Sequence, residues 1–199
     1  MDNYAKLFLA YGLSKAIMFS ANALMAVLAA VWIVPVLGQN GISIQNMCGS
    51  VVTAAVAITF ASKAVIGWSA NHPWGITWAM QIAWVIDTVI LFTLGERWPW
   101  AVVISSCLML VPTLVFFSTR SVMLNRVLSG DQLSDFGNKV GAIGTISGMC
   151  GSALGMVVEP TLFNIGVVSA IALVLNAGLN WWQIYLLSVM APPPEQQQE

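Results

Sequence analysis

The sequence predicts an all-α integral membrane protein of six transmembrane helices, with both termini on the cytoplasmic side. Of its 199 residues, 58% are hydrophobic and only 8% are charged, whereas about a quarter of the residues of a soluble domain are charged. Six apolar runs are each long enough to cross a bilayer, and the few basic residues fall almost entirely on one side of these runs. Lipid is therefore the expected solvent for most of the surface.

The six spans are predicted from apolar runs of about 17–25 residues, the length that crosses roughly 30 Å of hydrocarbon. The predicted spans are Ala16–Leu37, Gly49–Gly67, Ile76–Gly95, Trp98–Phe117, Val140–Val158 and Leu162–Leu187. Glycine, proline, asparagine and charged residues lie between them. Residues 1–190 are thus expected to form a single transmembrane domain. The polar, proline- and glutamine-rich tail 191–199 is expected to be disordered.

The first apolar run also argues against a cleaved signal peptide. The run follows Lys6 and Lys15 and continues through Trp32 to Leu37, which is longer than the apolar region of a signal peptide, about 7–15 residues. We interpret it as the first membrane span. The compact loops and the lack of a targeting segment favour the inner membrane of a bacterium.

Basic residues predict the orientation in the membrane. If the N-terminus is cytoplasmic, six of the seven basic residues lie on, or near the ends that face, the cytoplasmic side, as the positive-inside rule requires. These six are Lys6, Lys15, Lys63, Arg120, Arg126 and Lys139, and the exception is Arg97. An even number of spans then leaves both termini in the cytoplasm.

Six glycines lie in register along the fifth predicted helix, at steps of four, three, four, three and four residues. They are Gly137, Gly141, Gly144, Gly148, Gly151 and Gly155. Membrane helices gain little from burying apolar side chains, because lipid solvates those side chains as well, and they associate instead through small residues that let backbones approach. The pattern predicts close helix packing. It fits either a structural contact within one bundle or a surface on which helices slide during transport.

Asp87 lies inside the third apolar run, where a carboxylate is costly and by default indicates a functional site. Gln81, Trp84 and Thr88 lie on the same face of a helix as Asp87. Burial favours the neutral acid, so Asp87 is a candidate to carry a proton. The alternative is a structural role, in which the carboxyl group forms a hydrogen bond or an ion pair.

Lys63 is the candidate partner for such an ion pair. It lies near the cytoplasmic end of the second run, and at 1.5 Å per residue its depth is within about 6 Å of that of Asp87. The alternative is that the lysine side chain extends to the membrane interface.

Amide side chains add further candidates for a solute or proton pathway. Asn22 lies in the first run, and Asn176 and Asn180 lie in the sixth, where Gln183 shares their helical face. Amides in membrane helices more often join helices than bind a substrate, so both roles stay open.

Several function classes are not expected. A net charge of −1 provides no basic surface for nucleic acid. Cys48, Cys107 and Cys150 are far apart and His72 is the only histidine, so we expect no metal site, no cofactor and no disulfide framework. The sequence contains no nucleophile–base pair, phosphate loop or nucleotide motif, and nothing in it indicates an enzyme.

The segment from Gly67 to Gly75 resembles a degraded form of the cytoplasmic signature of the major facilitator superfamily. That signature has a glycine, a small residue, an Asp-Arg pair, another glycine and further basic residues. Here Asn71 takes the place of the aspartate, His72 takes the place of the arginine, and Gly75 comes one position late. The trailing basic residues are missing, which puts in doubt the charged gate that the family builds from this motif.

Two further features resemble the same family. The glycines from Gly144 to Gly155 are similar to the glycine-rich fifth helix of its antiporters, although the characteristic Gly-Pro is absent. The charged connector from Arg120 to Lys139 falls where family members link the fourth and fifth helices. The resemblance implies one six-helix half of a twelve-helix transporter. Two copies related by a two-fold axis would complete it, so a homodimer is expected.

These observations lead to two hypotheses about function. The first is a half-size facilitator that works as a homodimer and moves a small solute, coupled to protons through Asp87. The second is a non-transporting membrane component, such as an immunity or exclusion factor or a subunit of a secretion or conjugation complex. A lipid-modifying enzyme is a third class, but it lacks any catalytic group in this sequence.

Overall fold

The computed structural model describes residues 2–60 and 62–191, apart from the side chains of Ile33, Ile42, Gln45 and Lys63. The described residues form helices and no strand, which confirms the predicted all-α class. The helices are α1 (Asn3–Phe60), α2 (Lys63–Asn71), α3 (Pro73–Leu94), α4 (Pro99–Val127), α5 (Gly130–Gly155) and α6 (Leu162–Met190). Residues 192–199 lie outside the described part, so disorder of the tail stays a prediction.

Four helical segments of the described chain are long and apolar enough to cross a membrane: Asn3–Trp32, Pro73–Leu94, Pro99–Val127 and Leu162–Met190. A fifth is added if Val34–Gly41 and Asn46–Phe60, which are bent by 56°, form one span. Helix α5 does not qualify, because glycine, serine and charged residues make up much of its length. The apolar helices fit a multi-pass membrane protein, and six spans stay a prediction.

Helix α1 contains the whole of the first predicted span and most of the second. The helix is interrupted at Gly38, whose φ of 69° lies in the left-handed region that favours glycine. The second predicted span, Gly49–Gly67, crosses the boundary between α1 and α2, since α1 ends at Phe60 and Ser62 is extended. No glycine or proline lies at this boundary, and apolar length alone therefore did not locate it.

Before the interruption, α1 runs antiparallel to α4. The Tyr11 ring lies 4.6 Å from the guanidinium carbon of Arg120, near the end of α4. Farther along α1, Trp32 packs against Val103, near the start of α4.

After Gly38 the chain runs back along α4. Cys48 packs against the cluster of Val103 and Cys107, and Phe60 lines a surface hollow together with Phe117. The second half of α1 therefore runs parallel to α4 and opposite in direction to the first half.

Aromatic and amide contacts bring four helix ends together at one end of the bundle. Phe136, near the start of α5, makes edge-to-face contacts with Tyr4, Phe8 and Tyr11 of α1. Gln183, near the end of α6, donates to the carbonyl oxygen of Ala10 at 2.9 Å and accepts from Arg120 of α4. The starts of α1 and α5 thus lie beside the ends of α4 and α6.

The glycines of α5 pack against α1 along only part of the helix. A Cβ atom built on Gly151 would lie 2.1 Å from the carbonyl oxygen of Ser20, and one built on Gly155 would lie 2.8 Å from Cβ of Val27. Gly144 and Gly148 face the Phe19 ring at 3.4 and 3.9 Å. A Cβ atom built on Gly137 or Gly141, by contrast, would meet no described atom within 4 Å apart from its chain neighbours and the nearby backbone of α5.

Candidate functional site

A cavity of about 370 Å³ lies between α1, α3, α4 and α6. Helix α1 contributes side chains three or four residues apart, which place them on one helical face. The wall is mainly apolar and aromatic, with a few polar groups. The residues that line the cavity include Met18, Asn22, Met25, Trp32, Trp84, Asp87, Ser106, Met109 and Ser169.

Asp87 is the charged residue in this wall, and it is buried, with 6% of its surface exposed. Its Oδ1 atom accepts hydrogen bonds from the hydroxyl of Ser105 and, at a longer distance of 3.5 Å, from that of Ser106. Both serines lie on α4. None of the residues that the structure describes donates to Oδ2 or places a cationic group within 4.0 Å of the carboxyl group. The carboxyl group is therefore held in place from one side only.

Hydrogen bonds between α3 and α6 fix the wall beside Asp87. Trp84 Nε1 donates to Ser169 Oγ at 2.9 Å, and the Thr88 hydroxyl lies 2.9 Å from the same oxygen. Ser169 and Thr88 are both buried. These bonds hold the Trp84 indole against the cavity, so one end of the site is rigid.

The structure brings two of the predicted site residues to this cavity, Asn22 of α1 and Asp87 of α3. Gln81 does not line it. The amide of Gln81 instead joins α3 to α6, accepting from Trp181 Nε1 at 3.0 Å and donating to the Ala177 carbonyl at 3.3 Å. Lys63 begins α2, but its side chain is outside the described part, and its pairing with Asp87 stays a prediction.

Asn176 and Asn180 lie on the buried face of α6 and are also separate from the cavity. The Ser14 hydroxyl lies 3.0 Å from Oδ1 of Asn176 and 3.4 Å from Oδ1 of Asn180. The Asn176 amide also donates to the Ala172 carbonyl at 3.0 Å. These contacts join α6 to α1, which corresponds to the helix-joining alternative for the two amides.

Arg120, which the distribution of basic residues predicts on the cytoplasmic side, is a buried charge. Its Nη1 atom donates to Gln183 Oε1 at 2.6 Å, and its guanidinium carbon lies 4.6 to 5.4 Å from the ring centroids of Tyr11, Phe116 and Phe117. Among the described residues no carboxylate lies within 4.0 Å of it.

The burial of Arg120 follows from the length of α4. The helix continues ten residues beyond the predicted end of the span at Phe117, as far as Val127. The sequence contains a signal for this, because the apolar residues Val122, Met123 and Leu124 follow one residue after Arg120. They indicate that the buried face of the helix extends past the arginine.

No group of three or more His, Cys, Asp or Glu in the described part of the chain is arranged to hold a metal ion. Comparisons with protein-family models, curated proteins and solved structures give no match. The function must therefore be argued from the geometry of the cavity and its surroundings.

Proposed function

We propose that this chain is a multi-pass membrane transporter that moves a small solute, with Asp87 as the group that carries a coupling proton. The observation that carries the proposal is a buried carboxyl group facing a cavity of about 370 Å³. Ionisable groups inside a membrane protein that face a cavity are typical of solute and proton pathways. The cavity volume also lies in the range of small-molecule sites, about 300–1,000 Å³.

The finer proposal is a half-size facilitator with six spans and both termini in the cytoplasm of a bacterium. The reversal of chain direction within α1 supports two passes for that helix. The common end shared by the starts of α1 and α5 and the ends of α4 and α6 supports an even number of passes. Helix α5 is the weakest candidate span, since its glycines make it less apolar than the others.

The homodimer is proposed from the resemblance to half of a twelve-helix transporter. The cavity wall at Asp87 is built from α1, α3, α4 and α6 of one copy. The site is therefore formed without a second copy, and a dimer would serve to join two such sites or to support the movement of the helices.

A second candidate function is a non-transporting subunit of a membrane complex. Gly137 and Gly141 favour it, because both are exposed and, in the described part of the chain, no other helix comes within 4 Å of a Cβ atom built on either one. Small residues with open space beside them suit contact with another membrane helix. A structural subunit needs no cavity, however, and the space beside Asp87 supports transport over this alternative.

Flux measurements test the transport proposal. Purified protein is reconstituted in liposomes that contain a pH-sensitive dye, and cationic, neutral and anionic solutes are added in turn. We expect one solute class to drive proton movement, and we expect Asp87→Asn to reduce that movement by about tenfold or more because the amide carries no exchangeable acidic proton. Asp131→Asn, which removes an exposed carboxyl group at the start of α5, is the matched control. Absence of flux with every solute would contradict the proposal.

Labelling of the chain ends tests the topology. Cys48, Cys107 and Cys150 are first replaced, and a single cysteine is then introduced at Asp2 or at Ala191. Each variant is treated with a membrane-impermeant thiol reagent in right-side-out and in inverted vesicles. We expect both positions to react in inverted vesicles only. Reaction of the two ends from opposite sides would exclude an even number of spans.

A further inference from the structure

We infer that the cavity beside Asp87 binds a small organic ammonium ion that carries an apolar or aromatic group. The inference rests on the proposed function for its physiological role, although the binding itself is argued from the cavity alone. It identifies the chemical class of solute, which the transport proposal leaves open.

The charge of the wall is the first argument. Among the side chains that the structure describes, Asp87 is the charged residue that lines the cavity, and no lysine, arginine or histidine does so. The nearest basic residue farther along α4, Arg120, is fifteen positions beyond Ser105, or about 22 Å at 1.5 Å per residue. Arg120 is already engaged by Gln183 and three aromatic rings. An anion would meet no cation among the described lining residues, whereas a cation would meet a carboxylate.

The unoccupied oxygen of Asp87 is the second argument. Both serine hydroxyls donate to Oδ1, while Oδ2 receives no hydrogen bond from any described residue. This oxygen is open to the cavity and not sealed in the interior, because in the described part of the chain the Tyr11 hydroxyl is the fully buried side-chain atom that lacks a hydrogen-bond partner. An ammonium N–H is a donor that would satisfy this oxygen and neutralise the carboxylate at the same time.

The remainder of the wall suits the apolar part of such an ion. The rings of Trp32 and Trp84 line the cavity, and aromatic faces attract organic cations. Met18, Met25 and Met109 add polarisable thioethers that adapt to the shape of a ligand. The cavity volume of about 370 Å³ lies within the range of small-molecule sites, about 300–1,000 Å³, which is enough for a small aryl or alkyl ammonium ion.

Three probes of the same shape and the same number of non-hydrogen atoms separate charge from hydrophobicity. They are N,N-dimethylbenzylammonium, the neutral hydrocarbon isobutylbenzene and the anion phenylacetate. Equilibrium binding of each probe is measured on the full chain in lipid nanodiscs, at a pH where the amine is protonated and phenylacetate is ionised. We expect the ammonium ion to bind about tenfold more tightly than either of the others, because a charge-assisted hydrogen bond contributes about 1.5–3 kcal/mol.

Substitution of Asp87 then links the preference to the carboxylate. Asp87→Asn is expected to weaken ammonium binding by about tenfold while leaving isobutylbenzene affinity within about twofold. Retained hydrocarbon binding shows that this variant is folded and that its cavity is intact. If the variant binds neither probe, Asp87→Glu provides the test, and it must keep the preference for the cation. Asp131→Asn, on the exposed start of α5, must behave as the unmodified protein.

Equal affinity for the three probes, or tighter binding of phenylacetate, would overturn the inference. Its failure is distinguishable from failure of the transport proposal. Ammonium binding that depends on Asp87, without flux in liposomes, would support the inference and contradict transport. Flux of a neutral or anionic solute that depends on Asp87, without ammonium binding, would overturn the inference and leave transport in place.

Discussion

The first half of α1 has two faces with opposite kinds of packing. On one face, Met18, Asn22 and Met25 line an open cavity. On the other, Ser20 and Val27 are so close to α5 that only glycine fits opposite them. Residues on the two faces are adjacent in sequence, and both faces lie within one apolar stretch of helix.

This difference indicates which buried polar group is a site and which is part of the scaffold. Protein interiors are close-packed, and few voids larger than a water molecule occur in them. Arg120 follows this rule, since rings and an amide fill the space around it. Asp87 departs from it, because one of its oxygens faces unfilled space. Of these two buried charges in the described part of the chain, Asp87 is therefore the one we assign to function.

The largest expected effect on stability is at the face of α1 that packs against α5. Gly151→Ala would place a methyl group 2.1 Å from the backbone carbonyl oxygen of Ser20, so α1 and α5 must separate. We expect a loss of about 3 kcal/mol or more, at the upper end of overpacking effects, measured as unfolding in detergent micelles. Gly141→Ala is the matched control. It has open space and is expected to change stability by no more than about 1 kcal/mol, through helix propensity. Equal effects at the two positions would show that α5 does not pack closely against α1 at Gly151.

The next largest effect on stability is expected at Arg120, which is surrounded by Gln183 and aromatic rings. Arg120→Ala removes a charged hydrogen bond to Gln183 and the contacts with three rings, and it leaves a buried amide oxygen unpaired. We expect a loss of about 3 kcal/mol in the same unfolding assay. Arg126→Ala, at an exposed position on the same helix, should cost less than about 1 kcal/mol. A small effect at Arg120 would mean that its cluster is not part of the scaffold.

A smaller effect on stability is expected at Asp87. In Asp87→Asn the amide oxygen still accepts from Ser105 and Ser106, and the cavity beside it can accommodate the new amide hydrogens. We expect the unfolding free energy to change by no more than about 1 kcal/mol, although flux and ammonium binding each fall by about tenfold. A loss of stability as large as that of Arg120→Ala would show that Asp87 has a structural role instead.

An equally small effect on stability is expected where α1 faces the cavity. Ala26 lines the cavity and is exposed, so Ala26→Leu would fill empty space rather than displace neighbours. Stability should change by no more than about 1 kcal/mol, whereas ammonium binding and solute flux should fall because the cavity is smaller. Unchanged binding in a stable variant would show that the ligand does not occupy this part of the cavity.

The sequence by itself determined the all-helical class, the apolar helices long enough for a membrane, and Asp87 as a buried ionisable group. These follow from local properties, because hydropathy and helical period are set by neighbouring residues. The glycine repeat in the same way predicted close packing of the fifth helix. The match between Gly151 and Ser20 supports that prediction, while Gly137 and Gly141 have no described neighbour.

Only the tertiary structure decided which polar residues meet. Asn22 reaches the cavity with Asp87, whereas Asn176 and Asn180 bind Ser14, more than 160 positions away in the chain. Arg120 is buried because α1 and α6 cover the end of α4, while its predicted place at the cytoplasmic end of the helix stays a prediction. Such contacts depend on how helices that are distant in sequence are rotated and packed together. Hydropathy does not identify which helix packs against a given helical face. The space beside Asp87 likewise lies on the face of α1 opposite to the face that packs against α5.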